Sequence, residues 1–477
     1  MTNYRFAAGV LLGLGLVFCS LGCCRVVHRI EAVSVTPEGT RLGNGACHGV
    51  DVSLDGRYVV FGSQATDLVA GLSLPRDTRG QVYQQIYLRD LHRGKTELVS
   101  LDSNGSPVNG RCISPSVSQD GRRVAFLCDA AGVVPASEGG SDARQYMVYM
   151  RDRQTNTTVL ASKTTGGTAF TRDCQMPVMV PDGRGVWFRS RRFDANKPAR
   201  MFLHSFSSSK TEELRLEGNV VKLFPDNALG SSKAISGQVR SSSRNGGWVA
   251  FVSRKKLPYS SREGQTLVLN PADTDFTFDA LYLHYFPKNM TIRVSTFQAR
   301  TMLGSQILGV SNTAAGNNVA FATRYIYHTL PGNDANDVND VFTFSQWDFH
   351  HPPATYFRRV SLTESGDEPN GACYAVSFPD SRWVVFSSDA TNYVSDDTNG
   401  HTDIFRKDLQ TGKVTLISRK DADTPVGNGP SSLPRASEDG KAIGFQSEAT
   451  NLVNLPAPAA GAKRQIYVRR RVIVCGR

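Results

Sequence analysis

One short phrase recurs seven times along this chain of 477 residues, and it constrains the fold more than any other feature. It consists of a turn of Asp-Gly type followed by an apolar run that ends in phenylalanine. The copies end at Phe61, Phe126, Phe188, Phe251, Phe321, Phe386 and Phe445, at intervals of 59 to 70 residues. Repeats of near-constant period are typical of folds that stack one small unit on its neighbours. The sequence therefore predicts seven copies of one unit.

Each unit is predicted to contain four antiparallel strands. Asp-Gly and Asn-Gly pairs tolerate positive φ and close tight hairpins, so the phrase joins a first strand to a second. A third strand carries an aromatic residue, as at 86–88 and 148–150, and a polar turn then leads to a fourth strand, as at 97–100 and 414–418. After the first two dozen residues, no stretch keeps the 3.6-residue apolar period of a helix.

Units of four strands repeated around an axis form a β-propeller, in which each blade buries its faces on its neighbours. We therefore expect an all-β fold, a seven-bladed β-propeller of four-stranded antiparallel blades. Blade seven stops at 466–469 without a clear fourth strand, whereas residues 29–34 look like a fourth strand that has no first three before it. Pairing these segments would close the ring with an N-terminal strand and leave no open sheet edge. The alternative is that residues 472–474 continue the sheet.

These units resemble the WD40-like or PD40 repeats of bacterial TolB-type propellers. The resemblance depends on the Asp-Gly-Arg turn with its apolar run, and on a second motif that begins Ser-x-Ala-Thr. This second motif occurs at 63–69, 388–394 and 447–453. The resemblance covers nearly all of residues 29–470 and implies a propeller in a bacterial envelope. TolB carries an α/β domain before its propeller, for which this chain has no room, so a role in the Tol-Pal system is only an analogy.

The first two dozen residues have the layout of an export signal. Arg5 precedes an apolar stretch of about 13 residues, which is shorter than the roughly 20 that a membrane-spanning helix needs. Ser20-Leu21-Gly22-Cys23 resembles a bacterial lipobox, although its leucine lies two residues before the cysteine instead of three. We expect a signal peptide at 1–22, lipidation of Cys23, a tether at 23–28 and the propeller at 29–477. Plain cleavage and an uncleaved anchor are the alternatives.

The charge of the chain does not indicate a nucleic-acid partner. Lys and Arg number 54 against 43 Asp and Glu, which gives a net charge of +11, but the basic residues are scattered and not gathered into runs. We interpret this charge as favouring solubility or weak attraction to anionic envelope polymers. The sequence also lacks Gly-x-Ser-x-Gly, a Walker loop and a dinucleotide fingerprint, and its nine histidines are dispersed. We therefore expect no catalytic residues.

Two cysteines of blade two are candidates for a disulfide. Cys112 and Cys128 flank the Asp120-Gly121 turn almost symmetrically, so they should lie nearly opposite on one hairpin. An oxidising compartment would favour the bond, and buried free thiols are the alternative. Cys47, Cys112, Cys174 and Cys373 share one place, just before the first strand, where a ring of thiols could bind metal, but no CxxC spacing supports this. A bond between Cys24 and Cys475 would staple the ring.

Two acidic loops between second and third strands are the candidates for metal binding. Oxygen-bearing side chains at roughly alternate positions resemble a calcium loop, although neither loop ends in the bidentate glutamate of an EF-hand. The candidate ligands are Asp334, Asn336 and Asp340 in blade five, and Asp397, Asn399 and Asp403 in blade six. The alternative is that these residues form Asx turns that cap hairpins. Calcium is the cofactor that these loops suggest, but we expect the protein to need none.

The expected function is that of a non-enzymatic scaffold in the bacterial envelope. It would bind a protein or an envelope polymer through its loop face or its central channel, as a monomer held at the membrane by its lipid anchor. Long connections at 70–85 and 254–279 are the loops most suited to a partner, or are tolerated insertions. The alternative function is a polysaccharide lyase or hydrolase of propeller type. A structural protein of the outer membrane surface is a third possibility.

Overall fold

The computed structural model describes residues 24–475 with internal gaps. The gaps are 139–144, 191–198, 218–219, 227–232, 235–237, 254–256, 258, 261–265, 268–279, 295–306, 314, 317, 324–335, 337, 346–356, 422–423 and 459–460. Within the described part, regular structure is β-strand apart from two short 3₁₀ turns, Ala136–Glu138 and Phe286–Lys288. No helix of these residues has the length and apolar character needed to cross a membrane.

Seven antiparallel sheets follow one another along the chain, each with four principal strands, which confirms the predicted propeller. The innermost strands are Cys47–Val52, Cys112–Val117, Cys174–Met179, Gln238–Ser242, Ile307–Asn312, Cys373–Ser377 and Ser431–Ala436. The second strands are Tyr58–Ser63, Arg123–Cys128, Gly185–Ser190, Trp248–Ser253, Asn318–Thr323, Trp383–Ser388 and Ala442–Ser447. The third strands are Gln85–Asp90, Met147–Asp152, Arg200–Ser205, Ala280–Tyr285, Asp340–Ser345, Asp403–Asp408 and Gln465–Cys475. The outer strands are Lys95–Leu98, Thr157–Leu160, Thr211–Glu217, Met290–Arg293, Phe357–Arg359, Val414–Leu416 and, in blade seven, Cys24–Ala32.

Blades three and four carry additional strands. In blade three, Val220–Pro225 extends the sheet beyond its outer strand, and Lys233–Ala234 pairs with that outer strand as well. In blade four, a separate small hairpin of Tyr259–Ser260 and Thr266–Leu267 lies between the second and third strands. The connection at 254–279 that was expected to be long and partner-binding lies mostly outside the described residues.

The ring is closed by the N-terminal strand, as the sequence predicts. Cys24–Ala32 pairs antiparallel with Gln465–Cys475, with Ile30 opposite Arg469. Residues 472–474 do not replace this closure, because they prolong the third strand and pair with 25–27. Residues 24–28 therefore belong to the closing strand and not to the expected tether, because the long partner strand offers them backbone donors and acceptors.

The phenylalanine of each repeated phrase lies at the centre of its blade. In all seven blades it stands directly opposite an aromatic residue of the third strand. The ring centroids of these pairs, such as Phe61 with Tyr87, lie 5.5 to 6.1 Å apart. Such pairs stabilise a fold by about 0.5–1.5 kcal/mol beyond the area they bury. The phrase therefore recurs because every blade needs the same aromatic pair in its core.

The turn glycine of the phrase locks neighbouring blades together. Gly121 of blade two has φ +69°, and a Cβ atom there would lie 2.0 Å from Cδ2 of Tyr58 in blade one. The turns of Gly316 and Gly440 close in the same way over Trp248 and Trp383 of the preceding blades. The glycine is thus required both for its positive φ and for the missing Cβ.

The arginine of the phrase fastens the first hairpin to the third strand. Arg57 and Arg382 form ion pairs with Asp90 and Asp408, at 2.6 and 2.7 Å. The hydrogen bond from Arg382, with help from two backbone N–H groups, outweighs burial and lowers the pKa of Asp408 to about 2. The aspartate ends the third strand and its carboxylate accepts the N–H groups of the following turn. These partners, far apart in sequence, were not predicted.

Candidate binding site in the central channel

The seven innermost strands surround a central channel that contains a cavity of about 220 Å³. One position of every innermost strand lines this cavity. We call these residues the channel belt: Asp51, Ser116, Val178, Ser241, Ser311, Ser377 and Arg435. Five members are Ser or Asp and one is Arg, so the channel belt is mainly polar.

A β-bulge precedes the belt residue in all seven innermost strands. At the bulge, Ser114, Met176 and Leu433 adopt left-handed backbone conformations with φ of 52° to 53°. Bulges change the direction in which the following side chain points, and here they turn the belt residue to the channel. The sequence contained one signal for them, since Pro115, Pro177 and Pro434 interrupt strands in which proline is tolerated only at an edge or a bulge.

Most belt side chains also tie one blade to the next. The Asp51 carboxylate accepts a hydrogen bond from the backbone N–H of Val117 at 2.9 Å. In the same way, Ser116 accepts from Met179 N–H, Ser311 from Phe378 N–H and Ser377 from Ala436 N–H, all at 3.0 to 3.1 Å. Because each bond crosses a blade boundary, the belt fixes the diameter of the channel.

The charged residues of the cavity wall are Asp51, Arg240 and Arg435. Arg435 of blade seven lies 4.0 Å from the Asp51 carboxylate of blade one, at the junction where the ring closes. Burial raises the pKa of Asp51, whereas Arg435 and the N–H donors act in the opposite direction. Two guanidinium groups and one carboxylate are therefore the charged groups of the described wall.

One mouth of the channel lies on the face formed by the Asp-Gly turns. Leu54, Pro181 and Pro379 of these turns line the cavity. Arg244 of blade four forms an ion pair with Glu438 of blade seven, which lies three blades away around the ring. This pair links two distant turns and narrows the mouth on that face.

The opposite face carries the Ser-x-Ala-Thr motif that supports the resemblance to PD40 repeats. Asn44 donates to Thr66 Oγ1 at 2.9 Å and accepts the Thr66 backbone N–H at 2.8 Å. Asn370 with Thr391, and Asn428 with Thr450, repeat both bonds. The motif therefore holds loops together and carries no chemistry of its own.

Several charged side chains on this face form pairs with one another. Glu448 binds Arg464 at 2.8 Å, and Arg464 lies 3.2 Å from His48 Nδ1. Burial, together with the charge of Arg464, lowers the pKa of His48. Asp389 accepts hydrogen bonds from Tyr374 at 2.6 Å and Thr402 at 2.5 Å. These polar groups therefore bind one another on this face of the propeller.

The cysteines expected just before the first strand are in fact its first residues, because pairing to the second strand begins there. Cys47 and Cys373 are buried and contact Ser63 and Ser388, with sulfur to oxygen distances of 3.3 and 3.4 Å. Burial raises the pKa of these thiols to about 11 and about 12. Each lies in its own blade, and the described residues contain no group of three His, Cys, Asp or Glu placed to hold a metal.

In blade two the serine partner is replaced by a cysteine. Cys112 lies directly opposite Cys128, and both are buried free thiols in this structure. Burial raises the pKa of Cys112 well above its ordinary value, and its neighbour Cys128 adds to this. The disulfide stays a prediction. Cys24 and Cys475 are opposite in the backbone register; their side chains, like the signal peptide at 1–22 and the lipidation candidate Cys23, lie outside the described part.

The described parts of the two acidic loops share one hydrogen bond, from an asparagine to a backbone carbonyl of the following blade. Asn336 donates to the Pro369 carbonyl at 2.7 Å, and Asn399 donates to the Gly427 carbonyl at 2.8 Å. Asp340 and Asp403 begin the third strands of their blades and are buried. Burial is the main cause that raises the pKa of Asp403 to about 6, and the nearby Asp397 carboxylate contributes to this rise. Asp334, the remaining candidate of blade five, lies outside the described residues.

Two of the dispersed histidines are buried and form hydrogen bonds with threonine side chains. His204 and His284 place Nδ1 at 2.8 and 2.9 Å from Thr211 and Thr291. Burial lowers the pKa of each imidazole to about 4, so both are neutral at pH 7.

No family model matches this chain, and no curated protein matches it in sequence. Among solved structures, the β-propeller domain of the Trilobed protease from Pyrococcus furiosus is similar at 9% identity with a TM-score of 0.48, over 89% of this chain and 93% of that one. TolB from Acinetobacter baumannii is similar at 14% identity with a TM-score of 0.36, over 70% of this chain and 63% of TolB. An oligogalacturonate lyase from Vibrio parahaemolyticus is similar at 11% identity with a TM-score of 0.47, over 94% and 98% of the two chains. The resemblance to TolB-type propellers is confirmed for the fold alone, by this chain's own seven sheets.

Proposed function

We propose that this chain is a non-enzymatic binding scaffold of a bacterial envelope, which holds an extended anionic segment of a protein or polymer in its central channel. The observation that carries the proposal is the composition of the cavity wall. Its charged groups are two guanidinium groups and one carboxylate, set among serine hydroxyls. A cavity of about 220 Å³ is too small for a folded partner but suits part of an extended chain.

The rigidity of the channel wall supports a binding function. Belt side chains form hydrogen bonds across blade boundaries, so the channel wall is ordered before a ligand binds. Binding therefore costs less conformational entropy. Export and lipid attachment at Cys23, expected from the sequence, would concentrate the scaffold where envelope polymers are found. We expect the binding unit to be a monomer, because one ring contains the complete channel.

The test is capture of partners from crosslinked envelopes by the wild-type protein and by the double variant Arg240→Gln/Arg435→Gln. Arg93→Gln is the matched control, because Arg93 is exposed on the rim of blade one and does not line the cavity. We expect the wild-type protein and the control to retain a partner in stoichiometric amount. The double variant should retain at least tenfold less of this partner. Thermal unfolding of all three proteins verifies that the ring is intact.

Equal capture by the wild type and by a folded double variant would refute binding in the channel. Turnover of a glycan by the purified protein would instead favour the alternative function, a polysaccharide lyase or hydrolase.

A further inference from the structure

The described parts of the acidic loops of blades five and six share an asparagine bond and a buried aspartate, but differ in how that carboxylate is neutralised. In blade five, the Asp340 carboxylate lies 2.5 Å from the guanidinium of Arg359, which also binds Glu368 at 2.8 Å. Ser361 donates to the same aspartate. Blade five therefore contains its own cation.

Blade six has no such cation at the equivalent place. Arg359 stands opposite Phe342 in the sheet, and the corresponding residue opposite Phe405 is Leu416. Asp403 is 0% exposed. In the described part of the chain, its hydrogen bonds come from two neutral groups, Ser418 Oγ at 2.5 Å and Asn399 Nδ2 at 2.6 Å.

A second carboxylate faces the same loop without a hydrogen bond. Asp397 is 5% exposed, and among the described residues neither of its carboxylate oxygens has a hydrogen-bond partner. The backbone N–H of Asn399 lies beside it but outside hydrogen-bond geometry. Its charge acts on Asp403, so the two carboxylates belong to one cluster. A buried, unpaired carboxylate is costly, because burial removes its water without providing a partner.

Among the described residues, the cations around this cluster do not balance its negative charge. Arg419 is the basic group that acts on both Asp397 and Asp403, and it forms an ion pair with Asp396. Three carboxylates thus share one guanidinium. Carboxylates of Asp397 and Asp403 together offer up to four oxygens, which are the ligands that calcium prefers, and the adjoining loop is rich in further oxygen atoms.

We propose that Asp397 and Asp403 bind a hard divalent cation of the calcium class in blade six, in the place that Arg359 fills in blade five. The cation would compensate the two buried carboxylates and fix the loop at 396–403. Calcium would then be a structural component of the propeller, independent of what the central channel binds.

The test measures calcium binding by titration calorimetry and thermal unfolding in calcium chloride against a chelator. We expect one site per chain in the wild-type protein and a rise in Tm of a few degrees with calcium, because a ligand that binds only the folded state stabilises it. Asp397→Asn should lose both effects. Asp334→Asn, the sequence counterpart in blade five, is the matched control and should keep both.

Leu416→Arg gives a second, independent readout. This substitution places a guanidinium where blade five has Arg359, so calcium should no longer raise the Tm of this variant. Absence of binding to the wild-type protein overturns the proposal whether or not any variant folds. An equal response of wild type and Asp397→Asn also overturns it, and so does a rise in Tm with magnesium as large as with calcium.

Discussion

Replacement of Gly121 by alanine should destabilise the propeller by about 3 kcal/mol, because it combines an unfavourable backbone conformation with a steric clash. The backbone at Gly121 has φ +69°, and the left-handed region costs a residue with a Cβ about 1–2 kcal/mol. The new methyl group would lie 2.0 Å from Cδ2 of Tyr58, and overpacking of this kind costs about 1–3 kcal/mol. The Tyr58 ring cannot move away easily, because the guanidinium groups of Arg57 and Arg153 lie 4.8 and 4.9 Å from its centre.

The matched control is Gly105→Ala. Gly105 also has a positive φ, +82°, but a Cβ there meets no atom within 4 Å. This variant should therefore lose only the conformational part, about 1 kcal/mol. Urea unfolding followed by circular dichroism gives the two losses, compared through the midpoints at equal slope.

A double-mutant cycle with Tyr58→Ala separates the two contributions of Gly121. If the clash is real, Gly121→Ala should cost about 2 kcal/mol less in the Tyr58→Ala background, since contacting residues are coupled by about 0.5–3 kcal/mol. Equal losses for Gly121→Ala and Gly105→Ala, or no coupling to Tyr58, would refute the claim that the turn glycine locks blade two onto blade one.

Three further predictions concern the anchor, the histidines and the cysteines. Cys23→Ala should move the protein from the membrane fraction to the soluble fraction and remove a diacyl mass from the mature N-terminus; an unchanged distribution contradicts lipidation. The free energy of unfolding should be highest above pH 6.5 and should fall as the pH drops to about 4. In this range the histidines of the unfolded chain are protonated, whereas buried His204 and His284 of the folded chain stay neutral. The shift in pKa corresponds to about 3 kcal/mol for each histidine, so His204→Asn/His284→Asn should flatten the dependence of the urea midpoint on pH, and an unaltered profile would rule this out. If Cys112 and Cys128 are oxidised in the exported protein, thiol titration after denaturation should detect one thiol fewer in the wild type than in Cys128→Ser, in which Cys112 is free. Reduction of the wild type should cost about 3 kcal/mol, and full thiol reactivity without reductant argues against the bond.

The fold could be predicted from the sequence because its determinants are local. The Asp-Gly turn, the apolar run and the aromatic residue of the third strand are close in sequence and recur in every unit. Their recurrence predicts the number of blades, and the incomplete last unit predicts the closing strand. The start of the closing strand is harder to predict from the sequence, because whether residues 24–28 pair depends on how far the third strand of blade seven continues.

The candidate sites depend on residues that meet only in three dimensions. Asp51 contacts Val117 and Arg435, which belong to two other blades, and the bulge that directs it to the channel has no strong sequence signal. From the sequence, both acidic loops are equal candidates for metal binding. Their difference depends on whether Arg359 or Leu416 stands beside the aspartate, and this becomes visible only when the registers of the two blades are aligned.

Closure of the ring by Cys24–Ala32 also determines the order in which the protein can fold. The closing strand is made first, and its partner, Gln465–Cys475, is made last. Six blades can assemble as their own strands emerge, but blade seven must wait for the two ends of the chain to meet, and such distant pairings form slowly. Until then the N-terminal segment presents an unsatisfied sheet edge, so a chaperone that shields this segment would act on the step that completes the disc.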